Sequence, residues 1–129
     1  MSAAYVDTSS LLAVALSEPA HERELDRLRS FDRLFSSNLL EAEFRSAVRR
    51  EGVTEPAGEL LDWVSWVLPA RDLGPEFRLV LERRLLRGAD LWHVACALYL
   101  REKVPELSFL SLDRRQTEVA AGLGFSLSD

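Results

Sequence analysis

Four carboxylates in this chain stand where an acid is expensive to keep. Asp7 closes the apolar "AAYV" and is followed by three hydroxyl residues, Thr8, Ser9 and Ser10. Asp113 closes "FLSL", Asp90 opens the nearly uncharged "DLWHVACALYL", and Glu43 lies within "NLLEAEFRSAV". Burying an unpaired carboxylate is strongly unfavourable, and acids brought together raise one another's pKa. A divalent cation removes both difficulties, and magnesium takes oxygen ligands. A plainer use exists for Asp7 and for Asp90, because Asp is a good helix N-cap. Glu43 is four residues before Ala47, on or beside a stripe of Leu39, Leu40, Ala42, Ala47 and Val48. Glu41 competes for its role but falls further from the centre of that stripe. An ion pair with Arg45, Arg49 or Arg50 is the structural use open to Glu43.

The surrounding pattern predicts how these acids are positioned. Strand signals at 3–6, 33–36, 71–73, 109–112 and, weakly, 125–127 alternate with helical ones. Helices are expected over 11–16, from Pro19 to about 29, and from an Asn38 cap to about 51, where Gly52 stops the chain. The next helix runs from a Thr54 cap with Pro56 in its first turn, through Leu60, Leu61, Val64 and Val67, to Pro69. Further helices follow at about 76–86, at 90–101 with almost no polar face, and from Asp113 to Gly122 or Gly124. Strands linked by helical crossovers imply a parallel sheet, hence an α/β fold as a three-layer α/β/α sandwich with a central, mainly parallel sheet. Ligands in such sheets bind beyond the carboxyl ends of the strands, which is where Asp7 and Asp113 fall.

A chain of 129 residues with 47% hydrophobic and 29% charged residues fits a single folded domain over 1–129. The uncharged stretch 8–17 is too short to span a bilayer and no basic region precedes it, so no membrane association and a cytoplasmic location are expected. The lone Cys96 lies in an apolar run and reads as a small core residue. The net charge of −5 argues against a protein that simply coats nucleic acid. It leaves a metal-dependent nuclease open, because bound cations reverse the local field. Lys103 is the only lysine among 16 basic residues; arginine suits bidentate phosphate contacts.

In four places, in order, the chain resembles the PIN-domain ribonucleases, specifically the VapC-type toxins of bacterial and archaeal toxin–antitoxin pairs. These are "YVDTSSLL", "SNLLEAEFRSAVRR", "RGADLWHVACAL" and "FLSLDRRQTEVAAGLGF". The resemblance places that family's metal-site acids on Asp7, Glu43, Asp90 and Asp113, and favours Glu43 over Glu41. One departure is Ser111, where threonine is frequent before the last acid; a hydroxyl is retained. The implied activity is hydrolysis of RNA phosphodiester bonds with Mg2+ or Mn2+ as cofactor. Asp7 and Asp90 are then the principal metal ligands, and Glu43 and Asp113 complete the cluster through water or a second metal. Ser9 and Ser111 are expected to hold the carboxylates, local backbone capping being the other use of Ser9. The implied partners are an RNA substrate, a cognate antitoxin protein and a second copy in a homodimer.

Other residues have two readings. His93, three residues after Asp90, is either a packed, hydrogen-bonded core residue or a ligand; hard cations favour the first. Arg45/Arg49, Arg83/Arg87 and Arg114/Arg115 are solvated surface or RNA contacts. Trp63 and Trp66 suit core or interface equally. A receiver-like signalling domain would need a lysine after a late strand, and a haloacid-dehalogenase-like phosphatase a second aspartate at Ser9. No glycine-rich phosphate loop is present. The remaining alternatives share the fold: a PIN nuclease of RNA processing, or a PIN fold that only binds.

Overall fold

The computed structural model describes residues 2–53 and 57–127. The expected Thr54 cap and first-turn Pro56 lie outside the described residues. Four strands form one parallel sheet: β1 (Ala3–Val6), β2 (Arg33–Ser37), β3 (Val64–Val67) and β4 (Ser108–Leu110), in the order β3-β2-β1-β4. Seven helices accompany them among the described residues: α1 (Thr8–Ala15), α2 (His21–Arg29), α3 (Asn38–Arg50), α4 (Ala57–Leu61), α5 (Gly74–Arg83), α6 (Gly88–Arg101) and α7 (Arg114–Gly122). None is long and apolar enough to cross a membrane.

The period-2 alternation of β1 sorts the two faces. Ala3 and Tyr5 enter a core with Val80 of α5, Val94 and Ala97 of α6, and Val119 of α7. Ala4 and Val6 enter the opposite core, with Leu11 of α1, Leu28 of α2, Phe44 of α3 and Leu60 of α4. The three expected layers are therefore present. β1 is covered on both faces and buried throughout, as a central parallel strand should be. The chain passes from β1 to β2 and β3 on one side, then returns to β4 on the other side of β1. The crevice beyond the carboxyl ends of β1 and β4 is thus a topological switch point.

Several sequence expectations need correction. Val64 and Val67 are in a strand, not in a helix continuing to Pro69. Their spacing fits both, but "VSWV" is β-prone, and it hydrogen-bonds the free edge of β2 from Leu34↔Val64 to Ser37↔Val67. Residues 71–73 form no strand: Arg71 instead pairs with Glu76 at 2.7 Å and Glu102 at 2.8 Å, and Leu73 leads into α5. The weak strand at 125–127 shrinks to one parallel bridge, Ser108↔Ser126. It follows a left-handed turn at Gly124, φ +96°, a conformation glycine adopts readily. Asn38 is the first residue of α3 rather than its cap. Ser37 occupies the cap position, its backbone still extended by pairing with β3. Gly52, at φ +73°, ends α3 as expected.

Candidate active site

Asp7 leaves β1 in an extended conformation and immediately caps α1, Oδ1 accepting the Ser10 N–H at 3.4 Å. Its own N–H continues the sheet by donating to Leu110 O at 3.0 Å. Asp113 repeats the device after β4, with Oδ1 accepting the N–H groups of Arg115 at 2.9 Å and Gln116 at 3.4 Å. Both strand-end acids are therefore caps, and their position is set by backbone.

Two serines stitch these ends together. Ser9 Oγ donates to Asp7 Oδ1 at 2.7 Å and accepts the Leu112 N–H at 2.9 Å. Ser111 Oγ donates to Asp7 Oδ2 at 2.9 Å and accepts the Asp113 N–H at 2.9 Å. The contacts expected of Ser9 and Ser111 are thus made.

Asp7, Glu43, Asp90 and Asp113 line one cavity of about 450 Å³, together with Thr8, Ser9, His93, Gln116 and Arg50. A second cavity of about 470 Å³ lies against Phe44, Arg45, Val48, Arg49 and Leu61 of α3 and α4 and, among the described residues, has no carboxylate in its lining. Chemistry, not size, separates the two. Asp90 is not a cap: Arg87 holds that position and Asp90 sits in the first turn of α6, where the helix dipole favours an acid. Glu43 reaches the cavity from α3. Its buried stripe is Leu40, Phe44 and Ala47, whereas Ala42, expected on that stripe, is exposed. Glu41 points elsewhere, accepting from Arg45 at 2.8 Å.

Glu43 is held by groups other than the arginines considered for it. The Thr8 hydroxyl donates to its Oε1, and His93 Nε2 lies 3.1 Å from the same oxygen. A carboxylate only accepts, so Nε2 carries the proton. In the neutral ring Nδ1 then accepts from the Tyr5 hydroxyl at 2.9 Å, which itself accepts the Ser37 N–H at 3.3 Å. His93 is 2% exposed. It is a hydrogen-bonded core residue, as expected, but one that also fixes a cavity acid. The His93 bond outweighs part burial and, with Thr8, holds Glu43 below its ordinary pKa.

The other acids shift upward. Burial raises Asp7, against the opposing hydrogen bond from Ser9, the His93 ring and the hydrogen bond from Ser111. Burial, then the charge of Asp113, raises Asp90. Burial lifts the Cys96 thiol to about 12 as well, in keeping with an inert core residue.

Gln116 is one residue that sequence reasoning missed. It is 2% exposed, and its Nε2 donates to Asp7 Oδ2 at 2.9 Å and Asp90 Oδ1 at 3.0 Å. A signal was available: Gln116 shares the buried face of α7 with Val119 and Ala120, and a polar residue on such a face asks for a partner. Thr8 and Tyr5 were missed too.

Among the described residues, no three or more His, Cys, Asp or Glu side chains are arranged to hold a metal ion. The donor set nevertheless suits a hard cation. Magnesium is commonly bound through one or two carboxylates and keeps several waters. Asp7 and Asp90 already converge on one positively polarised group, the Gln116 NH2. Surplus charge, two raised acids and oxygen donors all favour a cation here.

A family model described as PIN domain matches residues 4–122 of the chain. No curated protein matches it.

Proposed function

The chain belongs to the PIN-domain family, whose members are generally nucleases, and on that premise we propose that it is a Mg2+- or Mn2+-dependent endoribonuclease acting as the toxin of a type II toxin–antitoxin pair. The observation that carries the enzymatic reading is the convergence of Asp7, Glu43, Asp90 and Asp113 on one cavity at the switch point of the sheet. The toxin reading rests on the four motifs in order and on the small domain.

In this reading Asp7 and Asp90 hold the cation, which, when bound, supplies a polarised phosphate and a water of lowered pKa. Asp7 is fixed for this by its cap and by the hydroxyls of Ser9 and Ser111. Glu43, kept ionised by His93 and Thr8, accepts a hydrogen bond from the attacking water and orients it in line with the phosphate. Asp113 adds charge to the cavity lining, beside Arg115 at 3.9 Å. Arg50, on the cavity rim, meets the RNA backbone; a phosphate contact positions without reading sequence. An antitoxin would restrain the enzyme by placing an Arg or Lys in the acidic cavity, and the active form would be a homodimer.

The test is cleavage of single-stranded RNA by the purified protein with Mg2+, Mn2+ or EDTA, beside an Asp7→Asn, Asp90→Asn double variant. Metal-dependent cleavage by the wild type alone is expected. Cleavage undiminished in EDTA or in the variant would overturn the enzymatic reading. For the toxin role, expression should arrest growth of the host, and recovery of the protein from its host should bring down a small partner. Failure of both would leave a nuclease of RNA processing.

A further inference from the structure

A buried amide stands between two of the acids. Gln116 Nε2 is shared by Asp7 Oδ2 and Asp90 Oδ1 at 2.9 and 3.0 Å, while its buried Oε1 has no hydrogen-bond partner among the described residues. Helix capping does not explain this. Gln three residues after an N-cap ordinarily reaches back to the cap N–H. Here the Asp113 N–H is taken by Ser111 Oγ, and the amide turns to the acids instead. A buried, unpartnered carbonyl is unfavourable, so the carboxylates dictate the orientation. Reversal would set the carbonyl oxygen against two acid oxygens.

We propose that Gln116 is a positioning residue whose amide holds Asp7 and Asp90 together when no cation is bound, in the place a divalent cation would take, and releases them when the cation arrives. This rests on the metal reading given above. Two hydrogen bonds that exist only in the cation-free protein oppose binding, because a ligand gains only what the two states differ by. Gln116 therefore lowers cation affinity while relieving the repulsion between the acids. The oxygen left without a partner marks the orientation as one imposed by the acids.

The test uses Gln116→Leu, close in size and without a donor, and MgCl2 as the only ligand. Thermal unfolding is followed with and without Mg2+, and the side-chain amide signals of the 15N-labelled wild type are followed through a titration. The variant should unfold several degrees lower without metal. It should bind Mg2+ at least about tenfold more tightly, because two charge-assisted hydrogen bonds are removed from the free state. The NH2 pair present in wild type and missing from the variant should move as Mg2+ is added. Weaker Mg2+ binding by the variant would overturn the proposal by making Gln116 a cation ligand, and unchanged stability and affinity would overturn it too. If Gln116→Leu fails to fold, Gln116→Asn, too short to reach both acids, gives the same reading, and a wild-type amide signal unmoved by Mg2+ counts against the proposal. A wild type that shows no Mg2+ response at all sinks the metal reading itself, whereas equal responses in both proteins sink only the displacement.

Discussion

Asp7→Asn separates the two uses of the residue. Asp7 Oδ1 accepts from Ser9 Oγ at 2.7 Å and Ser10 N at 3.4 Å, and Oδ2 from Ser111 Oγ and Gln116 Nε2, both at 2.9 Å. An Asn with its oxygen in the Oδ1 position keeps the cap, since Asn and Asp cap comparably. Its NH2 then meets two donors. Ser111 can rotate its hydroxyl and accept; Gln116 cannot turn without setting its oxygen against Asp90. One hydrogen bond is lost, about 0.5–1.5 kcal/mol. Against this, a charge that burial already disfavours is removed. The net change without metal should stay within about 1 kcal/mol, roughly 4 °C for a domain of this size. With Mg2+ at a hundred times its Kd the wild type should gain about 2.7 kcal/mol, roughly 10 °C. The variant should gain almost nothing and lose at least roughly 10²-fold in cleavage, the scale seen when one electrostatic stabiliser is removed. Melting curves with and without Mg2+, beside an RNA-cleavage assay, decide it. Equal Mg2+ shifts and undiminished cleavage would show that Asp7 is a cap and nothing more.

Four further outcomes are expected. Glu43→Gln should abolish cleavage while unfolding within a few degrees of wild type, because the amide oxygen still accepts from Thr8 and His93; Glu41→Gln should leave cleavage intact and remove only an exposed pair with Arg45 worth about 0.3–0.5 kcal/mol. Stability in EDTA should rise as pH falls from neutral toward about 4. Asp7 and Asp90 sit above their ordinary values, so their contribution is full below the unfolded pKa and lost as pH rises through the folded one. Glu43 and Glu76, held low by His93 and Arg71, act oppositely and lose their contribution as pH falls through their folded values. Mg2+ binding near the raised values should release protons, read as a buffer-dependent heat by calorimetry, and Asp7→Asn should lessen it. RNA affinity of the Asp7→Asn variant should fall with salt, and Arg50→Ala should reduce the magnitude of the log–log slope by about 0.7; an affinity flat in salt would remove the arginine contacts.

The strands β1 and β4 and the acids that follow them were legible because both are written locally. An apolar run ending in Asp and followed by hydroxyls or a polar helix start specifies strand, turn and cap together, and "AAYVD" and "FLSLD" each do so. That 64–67 is a strand rather than part of a helix was not legible, since Val64 and Val67 satisfy helical and strand spacing alike and only the bare edge of β2 decides between them. That Glu43 rather than Glu41 faces the cavity was legible although Ala42 was misplaced, because Glu43 shares a face with Ala47. What one sequence could not display is the partnership of side chains distant along the chain. Gln116 and Asp7 are separated by 109 residues, and His93 and Glu43 by 50. Such pairs follow from the crossovers, not from any local period.

Cap and ligand are compatible uses of Asp7, because the geometry lets one carboxylate do both. A cap engages one oxygen from the backbone side and fixes the torsions of the side chain, so the second oxygen is delivered to a defined point at no further entropic penalty. Asp7 uses Oδ1 for its cap and Oδ2 for Gln116, and the cap bonds of Asp113 likewise fall on Oδ1 alone. Glu43, lacking a cap, is fixed instead through His93 and Tyr5 to the Ser37 N–H at the end of β2. Three acids are thus tied to the carboxyl ends of strands. Asp90 differs: it rides on α6, and its side chain is bound to Gln116. It is the acid whose position depends on what lies between it and Asp7, so exchanging an amide for a cation should move Asp90 and leave the other three in place.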